Sequence, residues 1–522
     1  MAVSLSGMSL YTDNDNESGW AGTDGPDTYN NAEQGSNSES WNVGKNTTET
    51  GTLTKSASLN SSRGLFVFLM ASNLAPYYTS IDLELQSSAG NYKNFECANS
   101  ANKAIAGVFV PTVVDYVNKG ADVGTFLPGS LATSRIIVDN SSSGNIRAVI
   151  NNWIDAMYYG VGHTVSGTTS SDALFAEAFA VDDLVANKYG ILLEQGGIIF
   201  SQGDLDLAGT LTSKGETLVF LETVNGYSTY NLDITGTVVL ENTSILEDGA
   251  VDYNFDSTAA TSFSMIGGVF RGYLTLVNAA GQTMSGIVFQ DGGTATISNT
   301  VSESPFNQCG VITITGTLDG CTINKSTATK ATTAANTNKA DGCHFIKDTS
   351  ASHALELTGA AGDYAWNSTA SGYDTGSTGN GVEVTGGSIT GNEHIHITAT
   401  TGTFNITVAD GATVPSVSSA GAVVNVTANQ ITLQVTVLDD STGLPLQYAH
   451  VWMGKDSDKS QLINGATDVN GEISTAIDYD ADTDVVGWAR QWDLSGTDYT
   501  PKDFSGQYTS AGFSITIRLS PI

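Results

Sequence analysis

The segments MIGGVF (265–270), MSGIVF (284–289), LDGCTI (318–323) and ADGCHF (340–345) superimpose, each with a glycine two to four places before a closing apolar residue. With Phe306 in the same slot, the closing residues fall at Phe270, Phe289, Phe306, Ile323, Phe345, Trp366 and Ile389, in steps of 19, 17, 17, 22, 21 and 23. Short β runs at this spacing, broken by Gly, Asn and Thr and free of long helical signals, predict a β-solenoid (β-helix) over residues 191–429. Each coil would stack its inward side chains on equivalents above and below. Cys321 and Cys343 share one slot in successive coils, which places both sulfurs in a buried column of small side chains, with a disulfide or metal as the minor alternative. The polar run KSTATKATTAANTNKA (325–340) reads as an excursion from a coil, or equally as a contact surface.

On the N-terminal side, the acidic, glycine-rich opening TDNDNESGWAGTDGPDTYNN precedes GLFVFLMA (64–71), TSIDLELQ (79–86), SRIIVD (134–139) and NIRAVINNWIDAMYYGVG (145–162). These runs alternate apolar and polar residues and are separated by turn clusters such as NSSSGN. That pattern predicts a β-sandwich of jelly-roll type over residues 1–190. One short helix is expected over 171–184, capped by Ser171 or Asp172. Beyond the repeats, ITLQVTVL (431–438), YAHVWM (448–453) and FSITIRL (513–519) alternate regularly and predict an immunoglobulin-like β-sandwich over 430–522. The expected fold class is all-β.

Composition agrees. The 522 residues include 57 Gly and 9 Pro, and only 14% are charged, so the surface is built from Ser, Thr and Asn. β-branched Thr and Val suit pleated surfaces, while Gly and Asn supply turns. Lys plus Arg number 20 against 54 Asp plus Glu, a net charge of −34 that repels nucleic-acid phosphates and anionic membranes. Neither nucleic acid nor membrane insertion is therefore expected, and the charge is read as serving solubility. The start MAVSLSGMSL lacks a basic region followed by an apolar run, so no secretory signal is expected. Four cysteines without a CxxC argue against a disulfide framework or zinc knuckle.

No G-x-S-x-G, H-E-x-x-H or P-loop occurs, so no catalytic residue is assigned on those patterns. Three acidic pairs are candidates for a two-carboxylate glycosidase: Asp204 with Asp206, Glu247 with Asp248, and Asp252 with Asp256. In a chain this acidic, a solvated face is the better explanation of each. Within NEHIHITA (392–399), His394 and His396 alternate on one strand face opposite Ile395 and Ile397. Solvated polar residues and a transition-metal site, iron for instance, shared by three chains at a threefold axis are the two competing explanations. The cluster NNWIDAMYYG (151–160) offers Trp153, Tyr158 and Tyr159 as a glycan-binding platform, against the alternative of sandwich core.

The block DDSTGLPLQYAHVWM with the later turn TDVNGEIS (467–474) resembles the carboxypeptidase-regulatory and transthyretin-like immunoglobulin modules. The resemblance implies that Asp468, Asn470 and Gly471 build a tight structural turn. His-x-His on a strand resembles the iron-binding motif of trimeric phage fibres and spikes. Taken whole, a sandwich, a solenoid and a terminal immunoglobulin-like module resemble the surface proteins of tailed-bacteriophage virions, of fibre, spike or decoration type. That resemblance implies a non-enzymatic homotrimer on the particle, held to other capsid or tail proteins and adhering to a host-surface glycan or protein. A polysaccharide-degrading tailspike is the alternative.

Overall fold

The alternation of bulky apolar with small polar residues makes strands of nearly every regular element. A computed structural model describes residues 3–12, 20–21, 27–29, 38–44, 48–72, 80–99, 110–117, 120–139, 149–169, 172, 174, 192–195, 197–222, 229–249, 251–324, 328–331, 340–346, 353–374, 382–385, 395–408, 414–427, 430–479, 482–491, 498–509 and 511–522. The chain is all-β. Of the helix expected over 171–184, only Asp172 and Leu174 are described, and the expected closing residue Ile389 lies outside the described residues. No helix among the described residues is long and apolar enough to cross a membrane. The chain divides into two compact units, Met1–Gly310 and Val311–Ile522.

The first unit opens with two antiparallel six-stranded sheets. One is built on Leu65–Ser72 and Val149–Gly160, the other on Ser80–Ser88 and Thr133–Asp139. Their inward residues, among them Phe66, Ile81, Leu83, Leu85, Phe95, Val114 and Ile136, form one core.

The unit continues as two parallel sheets. Asp204–Leu207, Thr229–Ile234, Asp252–Asp256, Tyr273–Val277 and Thr294–Ile297 follow one another in the first. Thr217–Phe220, Thr237–Glu247, Ser262–Arg271, Val288–Gln290 and Pro305–Asn307 belong to the second. Leu205 pairs with Leu232, Tyr230 with Tyr253 and Phe289 with Phe306, so the offset between these successive rungs falls from 27 to 23 to 17 residues. Parallel pairing begins at Gly162–Ser166, ahead of the solenoid start expected at 191, because this strand lies beside Asp204–Leu207. Ser4–Ser6 covers its other edge antiparallel, which removes an open parallel edge.

The interior is aromatic. Phe270 stacks on Phe289 with centroids 5.7 Å apart, and Phe289 on Phe306 at 4.3 Å, all three fully buried. Phe220 stacks on Tyr230 and Tyr253, and Phe255 meets Phe270 at 4.9 Å, so side chains of both sheets share this core.

The glycine of the repeat has a conformational cause. Gly267, Gly286, Gly320 and Gly342 have φ of 70°, 64°, 60° and 58°, each three residues before its closing residue. A left-handed backbone there turns one short strand into the next, and only glycine takes it without a Cβ penalty.

In the second unit, Val311–Ile314, Ala328–Ala331, Leu355–Leu357, Ile395–Ile397 and Val417–Ser419 pair parallel in that order. Ala328–Ala331 falls within the run expected as an excursion, so part of 325–340 is ladder. Only its β-branched Thr329 favours a strand by type, and residues 332–339 lie outside the described ones. Ile323 pairs with Phe345, but a register shift makes Ala370, not the expected Trp366, the rung partner of Phe345; the Trp366 ring still lies 6.0 Å from it. Cys321 and Cys343 are buried thiols on the same rung, not joined in a disulfide. The unit ends in a sandwich of three and four strands around Leu433, Val435, Val451, Met453 and Leu519. Its turn is built as expected: Asp468 Oδ1 accepts from the Asn470 and Glu472 N–H groups at 2.9 Å, and Gly471 has φ +72°.

Candidate functional site

Strands of the first parallel sheet in the N-terminal unit alternate inward apolar with outward polar residues, so register alone arranges their outward side chains in columns. One column runs Asp204, Asn231, Asn254, Thr275; its neighbour runs Asp206, Asp233, Asp256. The first column is a chain of hydrogen bonds. The Asn231 N–H donates to Asp204 Oδ1 at 2.8 Å, Asn254 Nδ2 to Asn231 Oδ1 at 3.1 Å, and Thr275 Oγ1 to Asn254 Oδ1 at 2.6 Å. Arg63, from the sandwich, adds an ion pair to Asp204 and donates to the Thr229 carbonyl at 3.2 Å.

Burial pushes the Asp204 carboxyl up to about 7, outweighing the adjacent guanidinium and the Asn231 N–H. Asp233 is also raised, first by burial and then by the charges of Asp256 and Asp206 on the flanking strands. Asp206 accepts from Thr235 Oγ1 at 2.7 Å, and Asp256 from the Thr258 N–H and hydroxyl at 2.8 and 2.6 Å. Among the described residues no group of three or more His, Cys, Asp or Glu is placed to hold a metal.

The structure thus regroups the acidic pairs weighed in the sequence. Asp204 and Asp206 share a strand face but belong to different columns. Asp252 and Asp256 are four residues apart on one strand, roughly 13 Å, beyond the reach of a glycosidase pair. Glu247 faces Arg271 at 3.6 Å, while Asp248 accepts the Glu222 N–H at 3.1 Å, so the two serve separate contacts. Asp233 and Arg63 were missed. Asp233 joins Asp206 and Asp256 only through coil length, and Arg63 arrives from a different domain; neither is near its partners in sequence.

Tyr158 is buried with Leu65, Val67 and Val113, and Tyr159 packs on the sandwich core, edge-on to Tyr11 at 6.4 Å. Their large apolar faces are used in packing, which corrects the expected glycan platform in favour of core. Trp153 lies on the strand Val149–Gly160, and its side chain is outside the described ones.

His394 lies outside the described residues. In the second unit, Ile395 and Ile397 are buried while His396 faces outward, in a column with Glu356 and Ser418. Its ring stacks on His353 at 4.5 Å, and its Nδ1 lies 2.9 Å from Ser418 Oγ.

No protein-family model matches this chain, and no curated protein matches it. Among solved structures, TmCBM61 in complex with β-1,4-galactotriose is similar at 15% identity over 29% of this chain and 97% of its own, with a TM-score of 0.20. An exo-β-agarase is similar at 10% identity over 30% of this chain and 25% of its own, at 0.23. The catalytic domain of Agl-KA is similar at 8% identity over 75% and 91%, at 0.17. Scores this low define neither a family nor a function for this chain.

Proposed function

We propose that the protein is a non-enzymatic structural and adhesive protein on the surface of a tailed-bacteriophage particle, binding host-surface glycan. The observation that supports this most is the use made of the outward carboxylates. Asp204, Asp206 and Asp256 are each held by hydrogen bonds to their own ladder or turn, so the polar face works as cross-bracing of the stack. The order of sandwich, parallel coils and second sandwich suits display, with one end mounted on capsid or tail proteins.

A second function has a specific observation in its favour. Burial and the charges of Asp256 and Asp206 raise the Asp233 carboxyl, on strands about 4.8 Å apart, which is the direction a general acid beside a second carboxylate requires. Incubating the full-length chain with capsule and lipopolysaccharide from a panel of bacterial hosts separates the two. Binding without release of reducing ends is the expected result. Oligosaccharide release that disappears in Asp233→Asn would replace adhesion by depolymerisation.

A further inference from the structure

The four-stranded sheet of the C-terminal sandwich, containing His450–Lys455 and Thr483–Arg490, carries two indoles on its outer face. Trp452 and Trp488 stand directly opposite each other on these antiparallel strands. Their neighbours along each strand, Val451, Met453 and Ala489, point into the core. Both tryptophans therefore owe their outward position to strand parity alone, and each is only partly buried. Trp452 lies over Gly454, where an added Cβ would come within 3.0 Å of the indole. Trp488 is fixed by the His450 ring, stacked at 5.5 Å, and by the Arg490 guanidinium, 4.6 Å from its centroid.

Between these rings and the neighbouring strand Lys502–Tyr508 runs an open groove of about 470 Å³, edged by Lys459, Asp503, Phe504 and Ser505. That volume lies in the range of small-ligand sites. Its walls combine fixed aromatic faces with one ammonium, one carboxylate and one hydroxyl. Such a set matches a ring with apolar C–H faces and hydroxyls around its edge. The edge charges of Lys459 and Asp503 are one of each sign, and the chain as a whole is at −34, so a neutral ligand fits better than an anionic one.

We propose that this groove binds a neutral glycan, with pyranose rings laid on Trp452 and Trp488 and hydroxyls directed to Lys459, Asp503 and Ser505. The site rests on the adhesion function proposed above and gives it a location. Because both rings are held before the ligand arrives, little side-chain ordering opposes binding.

Calorimetric titration of the full-length chain tests it, using hexasaccharides of β-1,4-glucose, β-1,4-galactose, α-1,4-glucose and β-1,4-N-acetylglucosamine, with polygalacturonate and a decaproline peptide alongside. At least one neutral hexasaccharide should bind. Trp488→Ala and Trp452→Ala should each weaken it about tenfold or more, the loss of one anchoring aromatic. Ser505→Arg, which obstructs the groove from an exposed position while leaving both indoles in the chain, should weaken it likewise if an alanine variant misfolds. Unchanged binding in folded variants would overturn the groove while leaving glycan adhesion standing. No binding by any neutral hexasaccharide would overturn both. Binding by decaproline alone, lost in Trp488→Ala, would make the groove a peptide site and overturn the glycan proposal.

Discussion

Glu303 has φ +50° and is exposed. It stands three residues before Phe306, in the slot that Gly286 fills before Phe289. Asn242, φ +50°, fills the same slot before Ile245, and Gly215, φ +71°, before Leu218. Leu218 pairs with Ile245, and Ile245 with Phe270, so the turn recurs in coils that the glycine motif alone does not reveal. Asn tolerates the left-handed region; Glu does so at a cost. Glu303→Gly should therefore stabilise the chain by about 0.5–1 kcal/mol, the strain relieved less the added entropy of glycine in the unfolded state. A rise in the urea midpoint at unchanged slope would register it. A lower midpoint would mean that the Glu303 side chain contributes more than its backbone strain costs. The repeat was legible wherever glycine fills the slot and illegible where Asn or Glu does, because the sequence shows residue type while the fold selects φ.

At the scale of elements, the polar columns tie stability to pH. Asp204 is raised to about 7 and Asp82, partly buried on its strand in the sandwich, to about 6, both from 3.8. A carboxyl with a higher pKa when folded holds its proton where the unfolded chain has lost it. Its contribution is full below about pH 4 and is lost as pH rises through 6 and 7. The melting temperature of the first unit should thus fall by roughly 2–4 °C between pH 5 and pH 8. Asp204→Asn should flatten this dependence, and Arg63→Met should steepen it by removing the cation that favours the charged form. Scanning calorimetry across that range would measure all three. A slope unaffected by either substitution would mean that Asp204 titrates as an ordinary exposed carboxylate. The strands themselves were readable from alternation, including Leu65–Ser72, Ser80–Ser88 and Phe513–Leu519. Which carboxylates would stand together was not, since a one-residue change in coil length exchanges every outward partner.

For the whole molecule, a threefold assembly remains the proposal that joins the display function to NEHIHITA. Light scattering on the purified 54.3 kDa chain should give the mass of three copies. Metal analysis should give less than one iron per three chains, because His396 is already engaged by His353 and Ser418. One iron per trimer, lost in His396→Ala, would instead place a metal on the axis. A monomer by mass would remove the threefold arrangement altogether.

From its residues alone the chain determined its fold class, the spacing of the coils through Phe270, Phe289 and Phe306, and the turn at Asp468–Gly471, because alternation, repeat spacing and turn chemistry are local properties. Tertiary structure decided the columns of Asp204 and Asp206, the burial of Tyr158, and the meeting of Trp452 with Trp488 across two antiparallel strands. Those outcomes depend on register and on which face a core covers, and both are fixed only when distant segments pack.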